Sequence, residues 1–263
     1  MPLSARKAIV ASRVMRGWRG GFEFSMGLLD DLRRVDPVGL HRFLWSNHSA
    51  YAATYEISKR FGASNLNPSR RILFGEMVEH LGKLGFDPRS DIRSVFELGC
   101  SVGHLLRHVE QHVCPSAEVL HGVDIDGYAI EAGKCHLRSL NSRVQLYEGD
   151  VAAAGRIMGD RKYDLVLCCG VLMYMSEAVA EHAVGMMLSR ARRLVGIICL
   201  APVGSGGRGS KGSVARTHDG AFIHDVERMI SRGGGRVIGS KLVGTEISGS
   251  SPSHVILAER PSA

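Results

Sequence analysis

The stretch Val95-Phe96-Glu97-Leu98-Gly99-Cys100-Ser101-Val102-Gly103-His104 decides how this chain is read. An apolar run of strand length enters a turn of small residues and leaves it as a helical pattern. Gly99 can take dihedrals closed to other residues and lets another group come close to the backbone. Glu97 puts an acid at the end of a strand that reads as buried, where a carboxylate needs a reason. Two nucleotide patterns fail on this turn. The dinucleotide fingerprint G-x-G-x-x-G needs glycines where Ser101 and His104 stand, and the P-loop pattern is absent. A glycine turn that keeps an acid just before it suits a ligand with cationic groups rather than a diphosphate.

Working outward, strands and helices alternate to the end of the chain. Strands are expected at 94–98, 118–124, 143–147, 163–169, 194–200, 235–243 and 253–259. Helices are expected from the turn to Val113, then at 127–140, 176–193 and 222–232. Apolar strands joined by helices predict an α/β fold, a parallel sheet covered on both faces. Before this core, Asn67 and Pro68 read as the cap and first residue of a helix ended by Gly85 and Pro88. Trp45, His48, Tyr51 and Tyr55 recur at helical steps and read as a core stripe or as a lid over a ligand. The expected organisation is a flexible basic tail at 1–22, a helical cap at 23–90 and a core at 91–263. Within the core, the glycine-rich stretch near 203–221 reads as a mobile loop at the carboxyl edge of the sheet.

The 263-residue chain is long enough for a full core, and its 44% hydrophobic and 22% charged residues exclude a disordered or collagen-like class. Its longest apolar run, Leu194–Val203, is too short to span a bilayer, and no apolar segment follows the first residues. The six cysteines form no CxxC pair and read as reduced thiols of a cytoplasmic protein. Of the net charge of +7, five charges lie within residues 1–20, on Arg6, Lys7, Arg13, Arg16 and Arg19. The body is near neutral, which disfavours a broad nucleic-acid face. His104, His108 and His112 share a helix face without a completing carboxylate, so no metal is predicted.

These residues resemble the class I S-adenosylmethionine-dependent methyltransferases. Glu97-Leu-Gly99-Cys-Ser101-Val-Gly103 is similar to the family's first motif, with Ser101 in place of its middle glycine. His121-Gly-Val-Asp124-Ile125-Asp126 resembles the second, whose acid receives the ribose hydroxyls; Asp126 is the neighbouring alternative. Glu148-Gly-Asp150-Val151 resembles the third, whose Asp contacts the adenine amino group. Tyr163–Leu172 resembles the fourth strand and the loop beneath the methionine moiety, which includes Cys169. The resemblance implies a Rossmann-like seven-stranded sheet closed by an antiparallel pair. It implies S-adenosylmethionine as methyl donor, with S-adenosylhomocysteine as product. The implied cofactor residues are Glu97, Gly99, Ser101, Gly103, Asp124, Ile125, Asp150, Val151 and Cys169, with Tyr55 of the cap at the amino-acid end.

The tetrapeptide of many base- and glutamine-methylating relatives is missing after the fourth strand, where Cys169-Gly-Val-Leu-Met-Tyr174 stands instead. Tyr174 is therefore a candidate wall of the acceptor pocket. His218 and His224, which follow the glycine-rich stretch, are candidate general bases because imidazole titrates near neutral pH. The expected function is methyl transfer to an O or N atom of a small molecule, as in specialised (natural-product) metabolism. A homodimer is one assembly considered. A nucleic-acid methyltransferase using the basic tail, and a binding scaffold without catalysis, are the alternatives.

Overall fold

The computed structural model describes residues 1–12, 21–47, 66–201, 212–244 and 252–260. His48, Tyr51 and Tyr55, residues 13–20 and most of the glycine-rich stretch lie outside the described residues.

Strand β1 (Ser94–Leu98) is buried along its whole length, as a strand covered on both faces must be. Parallel neighbours flank it: β2 (Val119–Asp124) on one side and β4 (Tyr163–Cys169) on the other. Beyond these lie β3 (Val144–Glu148) and β5 (Ala191–Leu200). Among the described residues seven strands form this sheet, in the order β3-β2-β1-β4-β5-β9-β8. The last two, β8 (Arg236–Val243) and β9 (Ser253–Glu259), pair antiparallel, and β9 runs antiparallel to β5. A two-residue hairpin, β6 (Val214–Ala215) with β7 (Phe222–Ile223), stands apart from the sheet. The strand order reverses between β1 and β4, so a crevice opens outside their carboxyl ends.

Two apolar layers sandwich the sheet. Val95 joins Leu105 and Leu106 of the helix after β1 on one side. Phe96 and Leu98 join Val184, Met187 and Leu188 on the other. The helix Pro68–Lys83 belongs to the first layer rather than to a separate cap. Its Leu73, Met77 and Leu81 are fully buried with the sheet. Each such side chain contributes roughly 1.5–3 kcal/mol over leaving it in water. This anchors that helix to the core. The small cluster of Val10, Leu29, Leu32, Leu40 and Leu44 instead joins the helices before residue 47 into a unit of their own.

Several local expectations are corrected. Residues Leu3–Val10 of the basic tail form a helix, held where Arg6 pairs with Asp31 at 2.6 Å and donates to the Leu28 carbonyl. The helix His104–His108 passes into a π-helical turn at Val109–Val113, where buried Glu110 collects Arg107, Ser142 and Arg143. The long helix Glu177–Arg190 stops early. Arg192 and Arg193 begin β5 instead, their side chains near the buried Asp164. The helix expected from Phe222 starts only at Val226, because Asp225 caps it by accepting the Arg228 N–H.

Helix Gly127–Ser139 crosses so close to the turn after β1 that a Cβ on Gly133 would lie 2.5 Å from the Val102 carbonyl oxygen. Alanine in a helix interior normally gains about 1 kcal/mol over glycine. Here the clash with backbone outweighs it, and Gly133→Ala should destabilise the fold by about 1–3 kcal/mol. Urea denaturation reads this directly; an unchanged or higher midpoint would show that the helix has room to move.

Candidate active site

The turn Gly99–Gly103 is held by the end of β2. The Val123 carbonyl accepts the N–H groups of both Gly99 (2.8 Å) and Cys100 (3.0 Å). Gly99 has φ +76°, and Val171 leaves no room for a Cβ there, with its Cγ2 2.1 Å from that position. Ser101 has φ +52°, a left-handed conformation that favours glycine, so serine keeps the geometry the motif's glycine would have. Its N–H donates to Asp124 Oδ2 at 2.7 Å. The other oxygen of Asp124 accepts the Asp126 N–H at 2.9 Å. Asp124 is thus fixed in orientation with lone pairs to spare.

A cleft of about 500 Å³ lies over this turn, at the carboxyl ends of the parallel strands. Glu97, Gly99, Ser101, Asp124 and Ile125 line it, as do Asp150, Val151, Cys169 and Tyr174. Gly103 does not line it. With φ +80° it opens the following helix against Leu146 and Leu137. Asp126 reaches the cleft, but its Oδ1 accepts the Ala129 N–H as a helix cap, which leaves Asp124 as the better placed acid of the pair. Asp150 caps the helix Val151–Met158 through the Ala153 N–H, and its second oxygen accepts from Arg42 at 3.0 Å. Both bonds hold its carboxyl below the usual range, the backbone one more strongly.

Glu97 is the unusual member. It is 1% exposed, and its Oε2 has no hydrogen-bond partner among the described residues. Burial pushes it up to about 8, partly offset by Arg70, while Asp124 adds repulsion. Burial likewise lifts Asp124 to about 6 against the pull of its backbone donors. The Cys169 thiol is pushed up by burial and by Glu97, so it stays protonated. Arg70, which sequence reasoning missed, lines the same cleft and forms no ion pair among the described residues. One signal was available: it is a cation in the first turn of its helix, where the macrodipole disfavours one.

Neither predicted base faces the cleft. His224 is buried; its Nε2 donates to the Leu172 carbonyl at 2.9 Å and its Nδ1 accepts from the Ser213 hydroxyl. Burial lowers its pKa, so it serves as a neutral brace. His218 has its side chain 53% exposed beside Asp219, and its carbonyl accepts from Arg33. Tyr174 stands as expected in the wall, packed at 4.9 Å on Trp45 and 4.8 Å on His41. Val38, Arg42 and Trp45, one face of the helix Pro37–Ser46, also line the cleft. Trp45 belongs to the stripe read as core or as a lid, whereas Arg42 meets its partner Asp150 across 108 residues, so no local pattern marked it.

The comparisons agree with this geometry. A family model described as a methyltransferase domain matches residues 96–195. No curated protein matches the sequence. Among solved structures, the chain resembles magnesium protoporphyrin IX methyltransferase from Synechocystis PCC 6803 with bound S-adenosylhomocysteine. That match is 18% identical, with a TM-score of 0.57, and covers 86% of this chain and 100% of that one. It also resembles the 1,6-didemethyltoxoflavin-N1-methyltransferase of Burkholderia thailandensis, at 13% identity and a TM-score of 0.55, covering 84% and 90% of the two chains. A third is the CcbJ methyltransferase of Streptomyces caelestis, at 14% identity and 0.52, covering 76% and 93%. The sheet order and the matched domain together show a methyltransferase domain over residues 96–195 and the seven-stranded fold of the class I methyltransferase structures.

Glu97 makes stability depend on pH. Its folded pKa, about 8, lies above the ordinary 4.5, so between these values the folded chain keeps a proton that the unfolded chain has lost. Stability of the ligand-free protein therefore falls as pH rises through that window. Asp124 adds to the fall in its lower part. Denaturation at pH 5.5 and 8 should show the loss, and Glu97→Gln should flatten it. An equally steep decline in the variant would assign the effect elsewhere.

Proposed function

We propose that this cleft binds S-adenosylmethionine and transfers its methyl group to an O or N atom of a small molecule. The observation that carries the reading is an acid and a base exposed to one cavity without a bonded partner among the described residues: the buried Oε2 of Glu97 and the guanidinium of Arg70. The donor's ammonium fits Glu97 and its carboxylate fits Arg70. Asp124 offers two oriented oxygens for the ribose hydroxyls, with Ile125 and Val151 as apolar contacts for the adenine and Asp150 at its amino edge.

S-adenosylmethionine supplies an already activated methyl group. The protein's own work is to hold the acceptor in line, keep water out and shape the pocket around the reacting carbon. Trp45, Tyr174, Val38 and Val179 form an apolar surface suited to a small organic acceptor. The acceptors in the names of the similar structures, a protoporphyrin and a toxoflavin precursor, support the small-molecule reading. The sequence assigned a general base to two histidines that the fold turns away from the cleft, so neither is given that role here.

Calorimetric titration with S-adenosylmethionine and S-adenosylhomocysteine tests the reading. Micromolar binding, about −8 kcal/mol, is expected for the wild type. Asp124→Ala and Arg70→Gln should each weaken it by about tenfold or more. Wild-type affinity in both variants, or no binding at all, would overturn the assignment.

A further inference from the structure

Glu97 is set among groups that do little to offset its charge. In the sheet it lies between Gly122 of β2 and Leu167 of β4. Gly122 brings no side chain, and Cys100 fills the space there, its Sγ 2.7 Å from where a Cβ would stand. Around the carboxyl are three thiols, of Cys100 from the turn and of Cys168 and Cys169 from β4. Burial raises all three, so they stay neutral. Arg70, from the helix Pro68–Lys83, attracts the carboxyl without forming an ion pair among the described residues, and Asp124 at the end of β2 repels it. His104, from the helix after the turn, lines the same cleft. The carboxyl is only 1% exposed, and no described donor reaches its Oε2. A carboxyl so placed is more stable as the acid than as the anion. The value of about 8 agrees with this geometry.

We infer that the donor site loads by exchange: the ammonium of the donor enters beside Glu97, and the proton held there leaves to solvent. This rests on the donor site proposed above and states how pH regulates it. As the ammonium arrives, the O–H bond of the carboxyl breaks and its electron pair stays on the carboxylate. The proton passes to bulk water. The ammonium keeps its own protons and donates one to the carboxylate. The acid's surroundings are neutral before and after, so no unpaired charge is buried in either state. A ligand that expels a proton binds more tightly as pH rises. Donor affinity therefore climbs with pH while the empty site holds its proton, and levels above about 8. Asp124, lifted only to about 6, titrates below most of this range.

The test is calorimetric titration of the full chain with S-adenosylhomocysteine at pH 7 in PIPES and in imidazole, whose ionisation enthalpies differ. The difference in heat counts protons, and release of about one per ligand is expected. Between pH 6.5 and 7.5 the Kd should tighten by about eightfold. That interval stays below the range in which an α-amine loses its proton, about 7.7–8.0. 5′-Methylthioadenosine keeps the adenosine but lacks the amino-acid end, so it should bind with no proton release. Glu97→Gln, which retains Asp124 and His104, should bind S-adenosylhomocysteine with no release and a flat pH profile. No release in the wild type, equal release with 5′-methylthioadenosine, or undiminished release in the variant would overturn the inference. The comparison of the two ligands uses the wild-type chain, so it decides even where the variant folds poorly. Failure of S-adenosylhomocysteine to bind the wild type at any pH would instead overturn the donor site itself.

Discussion

The end of β2 governs the geometry of the site. One carbonyl, on Val123, and one carboxylate, on Asp124, together accept four backbone N–H groups, from Gly99, Cys100, Ser101 and Asp126. A buried backbone must place its polar groups somewhere, and here they converge on a single neighbouring strand. The turn they fold needs left-handed dihedrals at residues 99, 101 and 103. It also needs bare space at Gly99, where Val171 from the β4 side presses in. The result is a rigid floor at the point where the strand order reverses, with an acid oriented by the same bonds that shape the turn.

Electrostatics then separate binding groups from structural ones. Asp150 at the cleft is neutralised by Arg42, as Asp219 is by Arg216 outside it. Glu97 is not, although taking a carboxyl out of water without a partner is costly. The fold carries this cost in the ligand-free state by keeping the group protonated, its pKa raised to about 8. A cation placed beside it reverses the balance.

The remaining wall is composite. The helix Pro37–Ser46 contributes Val38, Arg42 and Trp45, while Arg33 of the preceding helix holds the His218 carbonyl at 2.6 Å. The hairpin β6–β7 is tied in turn to the segment after β4 by His224 and Leu172. Parts distant in sequence therefore share one wall. Arg42 meets Asp150 across 108 residues and joins this wall to the expected adenine side. Disturbing either element should be felt in the other.

The alternation of apolar strands and helices was readable because burial on both faces demands continuous apolar runs, and β1 and β4 fell where those runs predict. The acids after β1, β2 and β3 were readable too, since motif and strand end coincide along the chain. Local patterns erred where tertiary contacts compete with helix propensity. Phe222 and Ile223 pair as a strand, and Arg192 and Arg193 enter β5. They erred also for the histidines, whose chemistry suits a base but whose position depends on what packs beside them. The order of residues thus determined which strands form and which acids end them, because those are properties of neighbours in the chain. Only the folded structure decided that Arg70 and Arg42 face the cleft and His218 and His224 do not, because orientation toward a cavity is set by side chains that meet only in space.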